Sequence, residues 1–165
     1  MISAIKAKLA SYKAQDIHCA RSTWAGVVVP LFEKDNQPFI ILTKRAETVS
    51  AHKGEVSFPG GMYEEGDGDR MTTAVRECCE EIGVKSQDIE IVGRLDDMYT
   101  LTGCCIRPYV GIVPYPYTFT TSPREVAYII YLPFEFLRTV APFLEEANRD
   151  GYVEKVPSFY YEGDR

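Results

Sequence analysis

The chain is poor in histidine and tryptophan, with two and one in 165 residues, and its five cysteines form no CxxC pair. A structural zinc site needs Cys and His ligands at short fixed spacings, so that class is set aside. Cationic residues are the minority: 18 Lys and Arg against 24 Asp and Glu give a net charge of -6. Holding a phosphate backbone needs a clustered Lys/Arg surface, so no nucleic-acid partner is expected. No apolar run reaches the roughly 18 residues of a membrane span, so no membrane partner is expected either. Cys19, Cys78-Cys79 and Cys104-Cys105 are odd in number and lack the spacing of a disulfide framework, which predicts reduced thiols in a cytoplasmic protein. There is no repeat, low-complexity tract or Ser/Gly linker, and a single domain over residues 1–165 follows from a length of ordinary one-core size.

What is present is a 45% hydrophobic, 25% charged globular composition. Within residues 1–20, Ile2, Ile5, Leu9 and Tyr12 recur at helical spacing, predicting an amphipathic N-terminal helix and a lead-in. "TWAGVVVPLF", the turn "DNQP" and "FIILT" read as a β-hairpin. Asp69 to Ile82 reads as a helix, and "DIEIVGRL", "CIRPYVGIV" and "EVAYIIYLP" read as strands, the last two separated by the loop "PYPYTFTTSPR". Pro133 opens a short final helix, where its missing N–H costs nothing. Strands on both sides of a central helix predict an α/β fold with a mixed sheet packed between helices.

The segment "HKGEVSFPGGMYEEGDGDRMTTAVRECCEEIGV" gathers many carboxylates behind two adjacent glycines. On a helix, Glu77 and Glu81 lie one turn apart with Glu80 beside them, while Met71, Val75, Cys78 and Ile82 fall on the other side to pack inward. Arg76 can pair with Glu80 at i,i+4, but one arginine cannot neutralise three acids. A solvated acidic face is the ordinary meaning of such a cluster. The punctuation points elsewhere: "FPGG" permits close backbone approach, so that a carbonyl at Gly60 can turn toward a cation, and Gly83 stands where a C-cap glycine belongs. A hard divalent ion prefers such oxygens and keeps substrate phosphates in its shell. The vicinal Cys78 and Cys79 read as small apolar residues.

These residues resemble the Nudix box. Gly61 begins it, and "RECCEEIGV" from Arg76 matches its second half, with Cys78 at an aliphatic position and Asp67 where Glu is usual. The longer spacer and "ILTKRAETVSAHKGEVSFPGG", Ile41 to Gly61, resemble the coenzyme A diphosphatase branch, with Ser50 where arginine is common. The resemblance implies a Nudix-type α/β/α sandwich, with the box loop and catalytic helix at residues 60–84. It implies a hydrolase using Mg2+ or Mn2+ to cleave the diphosphate bond of a small molecule, coenzyme A or a derivative. Glu77 and Glu81 would be metal ligands, Glu80 a third or water-bridged one, and Gly60 would add its backbone oxygen. Arg76 would orient the glutamates. The general base would be a glutamate near the metals, Glu80 or Glu125.

For the substrate, Lys44, Arg45, Lys53 and Arg107 are the candidate cations for an extra phosphate, Arg45 first because it lies in the matched stretch. Gly61 and Tyr99 are further candidates to line the pocket, and His52 could meet phosphate. A pyrophosphatase for another nucleoside diphosphate derivative stays open, as does an inactive nucleotide-sensing domain, which would be expected to have lost its metal ligands. A homodimer is compatible with the sequence.

Overall fold

The computed structural model describes residues 1–18, 23–48, 53–100, 103–149 and 152–163. Helix α1 (Ile2–Ser11) is followed by β1 (Trp24–Lys34), β2 (Gln37–Arg45), β3 (Val56–Ser57) and β4 (Gly60–Met62). A 3-10 turn, Glu65–Asp67, leads into α2 (Arg70–Ile82), and a second, Ser86–Asp88, follows it. Then come β5 (Glu90–Arg94), β6 (Met98–Tyr99), β7 (Cys105–Ile112), β8 (Val126–Pro133), α3 (Phe134–Thr139), β9 (Phe143–Arg149) and β10 (Tyr152–Ser158).

The first hairpin turns on Asp35 and Asn36, with φ of 52° and 60°. Two consecutive left-handed residues match the twist of the flanking strands, and Asp and Asn tolerate that region best after glycine. β1 organises the eight-stranded mixed sheet: it runs antiparallel to β2 and β4 and parallel to β7, with β8 added on β2 and β5 and β6 on β7.

Each face of this sheet is covered. Val28, Phe32, Ile41 and Ile129 pack with Ala74, Cys78 and Ile82 of α2 on one side. Val29, Leu31, Ile40, Val110 and Leu132 meet Ile2, Ile5 and Leu9 of α1 and Phe134 and Phe136 of α3 on the other. Alternation along the strands sorts neighbours such as Ile40 and Ile41 to opposite cores. The result is the expected α/β/α sandwich. Val28, Ile41 and Ile82 have no exposure, and each contributes about 1.5–3 kcal/mol by leaving water.

Three expectations change. Glu81 does not face outward with the other acids: it is 4% exposed, and the inward face of α2 is Thr73, Ala74, Cys78, Glu81 and Ile82, whereas Met71 is 40% exposed. The cause is close docking, since a methyl at Gly26 of β1 would lie 2.2 Å from the Arg70 carbonyl and 2.9 Å from the Ala74 nitrogen. That contact rolls the helix so that its Ala74 edge, not its Met71 edge, meets the sheet. Second, the thiols are not all reduced: Cys105 is disulfide-bonded, while Cys78, Cys79 and Cys104 are free. Such a bond depends on tertiary approach of two chain segments, which spacing does not reveal. Third, β9 and β10 form an unanticipated second sheet of two strands with Phe143, Leu144 and Val153 exposed. Among the described residues no helix is long and apolar enough to cross a membrane.

Candidate active site

Helix α2 is fixed at both ends. The Asp69 side chain accepts a hydrogen bond from the Thr72 amide at 2.7 Å, and Gly83 closes the helix at φ 70° with its N–H on the Cys79 carbonyl. A cap of the first kind stabilises a helix by about 1 kcal/mol. The helix therefore begins and ends at capped points, and Glu77 and Glu81 stand one turn apart between them.

Gly61 faces the first of these acids. A methyl there would meet Glu77 Cδ at 2.3 Å, so the absence of a side chain is what admits the carboxylate. Burial raises the Glu77 carboxyl above its ordinary value, and the charges of Glu80 and Glu125 add to this while Arg76 opposes it. Glu81 is pushed up to about 7, again chiefly by burial, with Glu77 and Glu125 adding and Arg45 and the Gly60 backbone opposing.

Glu125 belongs to this cluster because its loop is tied to it. Its carbonyl accepts from the Ala46 amide at 2.8 Å, and the Ser122 amide donates to the Glu81 carbonyl at 3.2 Å. Glu80 is the outlying acid, its side chain 55% exposed, held to Arg76 at 3.3 Å.

Arg76 does more than that i,i+4 pair. Its guanidinium forks onto Asp67, Nε to Oδ1 at 2.8 Å and Nη2 to Oδ2 at 3.1 Å, and Nη1 donates to Glu77 Oε1 at 2.9 Å. Asp67 also accepts from Thr73 Oγ1 at 2.8 Å and from the Glu64 amide at 3.1 Å. The Arg76 guanidinium, with these other donors, holds the Asp67 carboxyl well below the usual carboxylate range. The sequence presents Asp67 only as a departure from the box, yet it is the anchor from which Arg76 aims Glu77. Asp67→Asn keeps the shape and removes the charge, and is expected to lower kcat about 10–100-fold, the usual scale for a partner that orients a ligand, with little change in KM. Steady-state kinetics on a variant with an unchanged circular dichroism spectrum checks this.

The donor set fits a hard divalent ion. Glu81 Oε2 is buried and has no hydrogen-bond partner. A buried carboxylate oxygen left unpaired is costly, and a cation is the simplest group to complete it. Among the described residues no group of three or more Asp, Glu, Cys or His side chains is placed to hold a metal ion by itself. An open half-shell is what a magnesium-type ion takes when substrate and water supply its remaining oxygens. Glu77, Glu81 and the backbone at Gly60 are the groups that could hold it.

The candidate cations separate. Arg45 joins the cluster, its Nη1 at 3.7 Å from Glu81 Oε1. Arg107 does not: it forks onto Asp97 at 2.7 and 2.6 Å and reaches Asp16 at 2.7 Å, tying the lead-in after α1 to β7. Lys44 lies on the opposite face of β2 from Arg45, beside Ile40 and Leu42 in a cavity of about 1080 Å³ that α3 and the C-terminal segment also line. Lys53 is exposed in a turn, and Tyr99 is exposed on β6. His52 and Ser50 lie outside the described residues.

A capped acidic helix, laid on a mixed sheet with a glycine strand at its carboxylates, defines a hydrolase of the phosphoanhydride-cleaving class. The NUDIX domain pattern matches residues 23–148, and the chain belongs to the Nudix hydrolase family. It is 34% identical over 139 residues to the uncharacterized Nudix hydrolase NudL of Enterobacter sp. (strain 638), covering 84% of this chain and 72% of that one. It is 40% identical over 128 residues to the chloroplastic Nudix hydrolase 22 of Arabidopsis thaliana, covering 76% of this chain and 40% of that one. Among solved structures, a C. elegans Ap4A hydrolase binary complex superposes with a TM-score of 0.58 at 16% identity, over 70% of this chain and 82% of that one. The NUDIX domain of Shewanella oneidensis NrtR, in complex with ADP ribose, gives 0.55 at 19% identity, over 78% and 79%. These likenesses share the fold.

Proposed function

We propose that this Nudix hydrolase cleaves the diphosphate bond of coenzyme A or a coenzyme A derivative, giving 3′,5′-ADP and 4′-phosphopantetheine. The observation that carries the reading is the meeting of Arg45, from the stretch resembling the coenzyme A diphosphatase branch, with Glu81 of the box. Two separate sequence signatures thus converge on one pair of side chains.

In this proposal Glu77 and Glu81 hold Mg2+ or Mn2+, with Gly60 adding its backbone oxygen and Glu80 a water-bridged contact. Divalent cations, when bound, supply positive charge for the diphosphate oxygens and a more acidic water. Arg76, anchored on Asp67, keeps Glu77 aimed. Glu125 or Glu80 takes the proton as water attacks one phosphorus in line. Gly61 admits the Glu77 carboxylate that faces the diphosphate, and Lys44, Lys53 and Tyr99 remain proposed contacts for the outer parts of the substrate. A cytoplasmic setting is part of the proposal, although the disulfide at Cys105 speaks against a reducing compartment.

A second reading, hydrolysis of a different nucleoside diphosphate derivative, has one observation behind it. Arg107 is committed to Asp97 and Asp16, which removes one of the cations proposed for the 3′-phosphate. Product analysis separates the two: the chain is incubated with Mg2+ and, in separate reactions, coenzyme A, dephospho-coenzyme A, ADP-ribose and a dinucleoside polyphosphate. Preferred release of 3′,5′-ADP from coenzyme A supports the first reading. Preferred turnover of ADP-ribose or the dinucleoside polyphosphate replaces it with the second.

A further inference from the structure

Away from the acids of α2, three arginines gather beside the first residue of β1. Arg94 pairs with Tyr109 across β5 and β7, and Arg107, two residues before Tyr109, projects to the same face. Arg70, the first residue of α2, holds its guanidinium carbon 4.0 Å from the centre of the Trp24 ring, and that of Arg107 lies 5.3 Å from the same centre. Arg70 Nε is buried without a hydrogen-bond partner. Trp24 is the only tryptophan in the chain.

Two carboxylates answer these cations, and they differ in kind. The Asp97 side chain has no exposure: Arg107 forks onto it, Arg94 Nη1 reaches it at 3.3 Å, and the Ile17 amide donates to it at 3.3 Å. Stripping a partner from a buried pair is costly, so Asp97 is a fixed member. The Asp16 side chain is 67% exposed, and its Oδ1 alone takes both Arg94 Nη2 at 3.0 Å and Arg107 Nη2 at 2.7 Å. An exposed ion pair contributes little to stability, so this carboxylate is exchangeable. Asp69 and Asp96, the other acids of this end, are engaged by the Thr72 and Gln15 amides.

We infer that this cluster is an anion site, which takes a phosphate dianion, free or as a phosphomonoester, in place of the Asp16 carboxylate. With Asp16 withdrawn, the three guanidiniums outnumber the carboxylate left among them by two, the charge of that dianion. A phosphate brings several acceptor oxygens where Asp16 engages one, and guanidinium groups match its geometry. Arg107 keeps its fork on Asp97 throughout, so the site is preformed and Asp16 is its tethered counter-ion. The cluster contains none of the groups proposed for the metal or the reacting diphosphate, and the inference stands apart from the substrate assignment. Because Arg70 begins α2, an anion bound here touches the start of the helix that carries Glu77 and Glu81.

Trp24 supplies the readout. Its emission is followed while inorganic phosphate and, separately, ribose 5-phosphate are added to the metal-free chain at pH 8, with chloride added in parallel at matched ionic strength. A saturable change with the phosphates and none with chloride is expected. Asp16→Asn removes the competing charge from an exposed side chain and is expected to tighten phosphate binding about fivefold, the scale of one exposed charge contact. Arg94→Gln is expected to weaken it about tenfold, and Glu81→Gln, changed only at the acids of α2, to bind phosphate like the parent. Tighter binding of ribose 5-phosphate than of inorganic phosphate supports the site with a sugar phosphate as its occupant, and equal binding supports it with the free anion. The absence of a phosphate-specific change, unchanged or weaker binding in Asp16→Asn, or loss of binding in Glu81→Gln overturns the inference. If Arg94→Gln fails to fold, Asp16→Asn decides alone.

Discussion

Glu81→Gln is expected to remove about 10³-fold of turnover while leaving the metal-free fold intact and, at alkaline pH, more stable. The kinetic part follows from Oε2, the buried oxygen without a partner, and its neighbour Glu77. Loss of a metal-holding carboxylate removes on the order of 4 kcal/mol of transition-state charge stabilisation, at about 1.4 kcal/mol per tenfold in rate. The stability part follows from burial. The Glu81 carboxyl sits at about 7 in the fold, above the 4.5 of an unperturbed glutamate. The folded chain therefore binds a proton that the unfolded chain releases, and stability falls as pH rises from the lower value to the higher. Above pH 7 the full cost, roughly 3 kcal/mol, is in place. Glutamine carries no charge to desolvate, so the metal-free variant should melt above the parent at pH 8 and alongside it near pH 4.5. Thermal melts at both pH values, beside kinetics with Mg2+, check both halves. Equal melting at pH 8 together with retained turnover would contradict the assignment of Glu81.

Gly61→Ala is expected to cost about 100-fold in turnover with a melting shift of less than about 4 °C. The added methyl would lie 2.3 Å from Glu77 Cδ and 2.5 and 2.6 Å from its two oxygens. The atoms it meets are the end of a flexible side chain, so Glu77 swings out of the site and the backbone stays. Gly60→Ala is the internal control. Its methyl would meet backbone, the Gly26 carbonyl at 2.5 Å and Val27 Cα at 2.6 Å, where β4 lies along β1. That substitution should lower stability by about 1–3 kcal/mol, as overpacking does. The two adjacent glycines therefore differ in what an added methyl meets: a mobile carboxylate at Gly61, so that kinetics change with little melting shift, and backbone at Gly60, so that the melting temperature falls as well. A large melting shift in Gly61→Ala, or normal turnover, would count against Glu77 as the group it admits.

Much of this architecture was legible where the signal is local. The turn in "DNQP", the Gly83 cap and the two strands of the first hairpin each act within a few residues, and the structure has each of them. What required the fold was long-range. The parallel pairing of β1 with β7 joins Trp24 to Cys105 and leaves no trace in spacing. The inward face of α2 follows from the missing side chain at Gly26, a residue that looks in sequence like one more small position in a strand. Arg107 reads as a free cation until Asp97 and Asp16 arrive from distant segments. The β9–β10 hairpin was missed because "FLEEANR" carries its charges consecutively and breaks the alternation. The Asp150-Gly151 dipeptide between its strands, outside the described residues, was the usable signal. In the candidate site, spacing and resemblance bring forward the acids, Arg76 and Arg45, whereas the anchoring of Arg76 by Asp67 and the burial of Glu81 depend on tertiary contacts.

The central claim is that Glu77 and Glu81 form the pole at which a divalent cation meets the substrate diphosphate. Crystals of the metal-free chain, soaked in Mn2+ and measured at the manganese absorption edge, test it most directly. The account predicts an anomalous peak within coordination distance of Glu81 Oε2, shared with the Glu77 carboxylate and absent from Glu81→Gln crystals. A peak held by other residues, or none at saturating Mn2+, would contradict it.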